Sequence, residues 1–174
     1  HQQLLQHAAE LARQAGAPWG IVTFEPHPRT FFKPEEPVFR LTPPAIKARL
    51  MEALGASFMV VIPFDGALSD LEAADFVSCH LVARLGAAHV VMGYDFHFGR
   101  GRKGSPATMA ALGSERGFGV TIVEQVTDDG DAHSPFSSSS IRRALRHGHI
   151  ADAAEELRQE FDNMEAPTIG GVRV

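Results

Sequence analysis

Apolar positions recur along this chain with two periods, and the two alternate. Residues 2–15, QQLLQHAAELARQA, place Leu4, Leu5, Ala8, Leu11 and Ala12 three to four apart, which predicts a helix that stops at Gly16. WGIVTFEP (19–26) is short, apolar and bounded by Pro26, as expected of a buried strand. Residues 43–55, PPAIKARLMEALG, predict a helix with Thr42 as its cap, proline in its first turn and Gly55 at its end. A strand over 58–65, a long helix over 69–86 capped by Ser69, and a strand over 88–96 follow. A helix near 106–116, a strand over 119–126, and one or two helices over 137–161 split at Gly148 complete the pattern. The last stretch, 162–174, shows no period and stays unassigned.

Strands that alternate with helices predict an α/β fold: a doubly wound parallel sheet covered by helices on both faces. Ligands in such folds sit at the carboxyl ends of the strands, so the loops that follow strands are the places to look for chemistry. The start of the chain departs from the pattern. It opens on a helix, whereas a doubly wound domain usually begins with a strand, so the first strand is expected to precede His1 and to be missing from this chain.

Composition narrows the class. The 174 residues are 44% hydrophobic and 21% charged with a net charge of −5, as in a soluble globular protein and unlike a general polyanion binder. No nucleic-acid partner is expected. No apolar run nears the ~20 residues that span a bilayer, and residues 1–15 do not read as a signal peptide. Cys79 is the single cysteine, which excludes an intramolecular disulfide and fits a cytoplasmic setting. Its position inside a predicted helix suggests packing. His147 and His149 are two apart and do not share a helix face, so they read as a surface pair. TDDGDAH (127–133) reads as a turn because it lacks the spaced ligands of a calcium loop.

Three loops carry candidate chemistry. TFEPHPRTFFKP (23–34) holds His27 between Pro26 and Pro28, which stiffen the backbone. With Phe31 and Phe32 it could face a flat ligand or simply form a rigid, packed turn. GYDFHFGRGRKGS (93–105) alternates Tyr94, Phe96 and Phe98 against Asp95 and His97, then supplies Arg100, Arg102 and Lys103 on a glycine-rich backbone. Aromatic faces beside cations and free N–H groups suit a planar ring that carries a phosphate; an exposed basic loop is the alternative. The order is not that of a P-loop or a dinucleotide fingerprint. FSSSSIRRALR (136–146) sets four serines at a helix start, more than a cap needs, followed by Arg142, Arg143 and Arg146. Arg142 and Arg146 share a face, and the arrangement suits an anion; a flexible serine linker before a solvated basic helix is the alternative.

These segments resemble a known family. TFEPHP, RLTPPAIKARLMEALG, VIPFD, DFV, VVMGYDFHFGRGRKG and SSSSIRRALRHG, in that order, are similar to the adenylyltransferase module of bacterial bifunctional riboflavin kinase/FAD synthetase. The resemblance covers residues 1 to about 157 and implies an adenylyltransferase domain over 1–161. It implies a Rossmann-like nucleotidyltransferase fold of the superfamily marked by H-x-G-H after the first strand. HQQLLQHA would begin at the last histidine of that element, His1. The family's I-S-S-T-x-I-R motif reads Phe136, Ser137, Ser138, Ser139, Ser140, Ile141, Arg142 in this chain, with phenylalanine for isoleucine and Ser139 for threonine. The implied reaction joins FMN and ATP into FAD and pyrophosphate, with Mg2+ accompanying ATP. His1, Ser137, Ser138, Ser139 and Arg142 would hold and activate the ATP phosphates. Pro26, His27, Pro28, Phe31, Asp95, Phe96 and Phe98 would hold the flavin, with Arg100, Arg102 and Lys103 at its phosphate. A riboflavin kinase domain is expected in the full-length chain. A flavin- or nucleotide-binding module without turnover, and a nucleotidyltransferase for another small phosphorylated substrate, remain the alternatives.

Overall fold

The computed structural model describes residues 2–124, 138–151 and 154. The elements run α1 (Gln2–Ala15), β1 (Gly20–Glu25), α2 (Pro28–Phe32), α3 (Pro44–Ala53) and β2 (Phe58–Pro63). Then come α4 (Gly66–Ser69), α5 (Ala73–Phe76), a π-helical continuation (Val77–Arg84), β3 (His89–Gly93), a 3-10 turn (Arg100–Arg102), α6 (Pro106–Arg116), β4 (Gly119–Val123) and α7 (Ser138–Arg146). The order of helices and strands follows the hydrophobic periodicity.

All strand pairing is parallel. β1 lies beside β2 from Gly20↔Phe58 to Glu25↔Pro63, and β3 beside β4 from His89↔Gly119 to Gly93↔Val123. Parallel neighbours need a crossover, and α3 packs on β2 while α6 packs on β4 as those crossovers require. The described residues form two two-stranded pairs, not the one continuous sheet expected from the sequence. The pairs nonetheless share one core. Phe24, Val60 and Ile62 of the first pair and Val90, Met92 and Val120 of the second belong to the same apolar cluster, with Phe76, Val77, Leu81, Phe98, Met109 and Leu112. β1 was expected to be buried, yet none of its residues is, and Val22 is 37% exposed. Among the described residues β1 pairs with β2 alone, and no strand pairs with its other edge.

Several helix starts differ from expectation. α3 is capped at Pro43, not Thr42, and by no side chain; Pro44 has no N–H to satisfy, which lessens the need. The helix predicted over 69–86 begins at Ala73. Its N-cap is Glu72, not Ser69, with no side-chain bond, while Asp65 caps the short α4 by accepting the Leu68 N–H at 2.8 Å. The break at 70–72 has a use, because it leaves the Leu71 carbonyl to accept the Arg100 N–H at 2.8 Å. Cys79 is exposed, not packed: Val77 and Leu81, four apart, take the buried face and leave it on the other side. Gly148, at φ 77, breaks the chain after α7 as expected. The turn at 127–133, most of the helix expected to 161 and the tail 162–174 lie outside the described residues.

Candidate functional site

Pro26, His27 and Pro28 leave the carboxyl end of β1 and enter a helix at once. His27 is the N-cap of α2: its Nδ1 accepts the Arg29 N–H at 3.1 Å. Pro28 begins the helix with no donor of its own to satisfy. An imidazole that accepts at Nδ1 is neutral, with its proton on Nε2. The surroundings favour the same state. Loss of hydration lowers the His27 pKa most, followed by the Arg142 charge; Glu25 opposes this, and Lys47 and Arg29 add to it. Arg142 and the Pro-His-Pro turn therefore lie within electrostatic reach, at one end of the strands.

α7 is held by Ile141, which is completely buried. The next residue, half-buried Arg142, donates from Nε to the Phe39 carbonyl at 2.7 Å. Phe39 belongs to the segment after α2, which contains no buried residue. Polar tethers hold that segment. The Val38 N–H reaches Thr30 Oγ1 at 3.0 Å, Arg29 pairs with Glu36 at 3.5 Å, and Arg40 pairs with Glu25. Ser138 and Ser139 open α7; His1 and Ser137 lie outside the described residues.

The aromatic residues form a continuous ladder. Phe31 meets Phe64 edge-on at 5.4 Å, Phe64 meets Phe24 at 6.0 Å, and Phe24 meets Phe76 at 6.2 Å. Phe76 meets Phe98 at 5.8 Å, and Phe96 stacks on Phe98 at 6.1 Å and 18°. The loops after β1 and β3, far apart in sequence, are thus joined through ring contacts. Sequence alternation placed Tyr94, Phe96 and Phe98 on one strand face, but β3 ends at Gly93. Phe98 is instead buried in the core, while Phe96 and Tyr94 are 38% and 42% exposed. Asp95 is exposed beside them, and its carbonyl meets His97 Nδ1 at 2.9 Å.

The basic loop is fixed at both ends. Phe98 and Gly104 bond to each other in an antiparallel bridge. Gly99 lies so close to α5 that a Cβ there would stand 2.7 Å from Ala73 N and Cα. Arg100 is ion-paired with Glu72, whereas Arg102 and Lys103 are exposed. Arg102 holds a left-handed φ of 59°.

Sequence reasoning missed Glu25, Arg40, Lys47 and Phe64. Glu25 stands inside TFEPHP and Arg40 at the head of RLTPPAIK, so the motifs contained them. Only the fold shows that they meet. Half-buried Lys47, on the first turn of α3, has no carboxylate partner among the described residues and contributes positive charge at His27.

This is a parallel α/β protein whose strand-end loops bring histidine, arginine and aromatic groups to one end. Comparisons with known proteins narrow the class. The sequence model of the FAD synthetase family matches residues 1–139, and the chain belongs to that family. A bifunctional riboflavin kinase/FMN adenylyltransferase of Listeria monocytogenes is 35% identical over 158 residues, covering 90% of this chain and 49% of the relative. Its Escherichia coli K12 counterpart is 31% identical over 161 residues, covering 92% and 50%. A FAD synthetase of Listeria monocytogenes is 30% identical over 159 residues, covering 90% and 62%. The chain thus spans about half the length of the bifunctional relatives. A solved Streptococcus pneumoniae chain described as a macrolide-efflux protein is 25% identical, with a TM-score of 0.73 over 89% of this chain and 50% of its own. Among the described residues no helix is long and apolar enough to cross a membrane.

Proposed function

We propose that this chain transfers AMP from ATP to FMN, giving FAD and pyrophosphate. The observation that carries the reading is the bond from Arg142 Nε to the Phe39 carbonyl, in the segment that follows the Pro-His-Pro turn, which brings its charge within electrostatic reach of His27. Membership of the FAD synthetase family supports the substrates.

The chemistry needs little from the protein except placement. An FMN phosphate oxygen attacks the α-phosphorus of ATP, a P–O bond forms, and the bond to the β-phosphate oxygen breaks. The phosphate is already an anion, so no general base is required. Catalysis then consists of alignment and charge shielding. In this reading Arg142, with His1 and Ser137 to Ser139, holds the ATP phosphates. Phe31 and Phe96 contact the isoalloxazine ring, which rests against the Pro26–Pro28 turn. Phe98 supports Phe96 from the core, Asp95 lies beside the ring, and Arg102 and Lys103 meet the FMN phosphate. Arg100 contributes by tying the loop to Glu72. Magnesium would enter with the substrate, as MgATP, and would shield the charge of its phosphates.

The finer fold belongs to the same proposal. A strand lying between the edges of β1 and β3 that are unpaired among the described residues would unite the two pairs into one doubly wound, Rossmann-like sheet of the H-x-G-H type, with His1 at its exit. The shared core of the two pairs supports this. The half of the relatives that this chain does not span would carry riboflavin kinase, in a cytoplasmic protein.

The test is FAD and pyrophosphate formation by the full-length protein supplied with FMN and MgATP. Arg142→Ala should reduce turnover at least tenfold, corresponding to about 1.4 kcal/mol of transition-state stabilisation. His27→Ala should weaken FMN binding more than ATP binding. FMN binding without pyrophosphate release would overturn the transferase reading.

A further inference from the structure

We infer that Arg40 is a positioning residue that couples the flavin-side turn to Arg142 through the peptide it shares with Phe39. This rests on the adenylyl-transfer reading and extends it. The Phe39–Arg40 peptide is engaged in two directions. Its carbonyl accepts the Arg142 Nε–H at 2.7 Å, and the Arg40 guanidinium pairs with Glu25, the residue that precedes Pro26. Glu25, Arg40, the Phe39 carbonyl and Arg142 thus form a chain of contacts from the end of β1 to the first turns of α7.

Packing does not hold that peptide in place. Phe39 is 56% exposed, and no residue from Lys33 to Pro43 is buried. Without core burial, the orientation of the carbonyl depends on its polar tethers: Thr30 Oγ1 to the Val38 N–H on one side and Glu25 to Arg40 on the other. A half-exposed ion pair contributes little to global stability. Its effect on direction is larger. A guanidinium is a rigid plane, and a bond that fixes Nε fixes the line along which both terminal nitrogens point. Release of the peptide removes this constraint on the plane, and misalignment of a phosphate-binding arginine reduces the rate without unfolding the protein.

The experiment is a double-mutant cycle on the full-length protein, with kcat and KM for ATP and for FMN and the thermal midpoint measured for each variant. Arg40→Gln should lower kcat/KM for ATP about tenfold, with a midpoint close to wild type. In an Arg142→Ala background the same change should cost less than about twofold, because the group it positions is gone. Arg40→Lys keeps the charge, should fall between wild type and Arg40→Gln, and serves in the cycle should the glutamine variant fail to fold. Wild-type kinetics for Arg40→Gln, or its full cost repeated on Arg142→Ala, would overturn the coupling while leaving adenylyl transfer standing. Undiminished turnover by Arg142→Ala itself would instead remove the role given to Arg142, and the coupling with it.

Discussion

Arg142 donates its Nε–H to the carbonyl of Phe39 at 2.7 Å, across 103 positions of sequence. The contact joins a helix late in the chain to the segment that follows the Pro-His-Pro turn. It also brings a permanent cation to the neighbourhood of His27, and this has a consequence that can be titrated.

His27 should remain neutral to lower pH than an ordinary histidine. Loss of hydration and the Arg142 charge both disfavour its protonated form, and Glu25 opposes them. By NMR titration, Arg142→Ala should raise the His27 pKa and Glu25→Gln should lower it further. A folded-state pKa below the unfolded 6.5 means that the unfolded chain takes up its proton first on acidification. The stability contributed by neutral His27 is present in full above pH 6.5 and is lost as pH falls from there through the folded value. His80, lowered by burial and by Arg84, acts in the same direction. The comparison should therefore be with His27→Asn, which keeps a capping acceptor but does not titrate. Equal acid sensitivity of the two proteins would contradict the assignment.

Gly99 and Gly101 should respond differently to alanine. Both have positive φ, 71° and 62°: Gly101 lies in the left-handed region, where alanine costs ~1–2 kcal/mol, and Gly99, at ψ 174°, lies in a region open almost only to glycine, where alanine costs more. Gly101 faces open space, whereas a Cβ on Gly99 would meet Ala73 backbone atoms at 2.7 Å. Gly99→Ala should lower the thermal midpoint more than Gly101→Ala. It should also weaken FMN binding, because it lifts the basic loop from α5. Equal midpoints would mean that the loop is not seated on Ala73.

Arg102 sits in the left-handed region at φ 59° without being glycine. Arg102→Gly releases that penalty, offset in part by the greater freedom of glycine in the unfolded chain. Stability should stay level or rise by up to about 1 kcal/mol, while FMN affinity falls with the lost cation. Unchanged FMN affinity in a titration would take Arg102 out of the proposed phosphate site.

The chain's order of helices and strands was legible because periodicity is local. Leu4, Leu5, Ala8 and Leu11 mark one helix face whatever surrounds them, and FMVVIP marks a strand. The serine run and the Pro-His-Pro turn could be singled out for the same reason, since caps, prolines and clustered cations act on near neighbours. Tertiary structure decided what meets what. Phe98 looked equivalent to Phe96 by alternation, but the end of β3 at Gly93 turns one ring into the core and leaves the other at the surface. Arg100 looked like a free cation until the fold brought Glu72 to it. Glu25, Arg40, Phe39 and Arg142 carry no mutual signal in sequence. Side-chain charge and backbone carbonyls have no period, and contact between residues this far apart arises only when packing of strands and helices fixes where each loop ends.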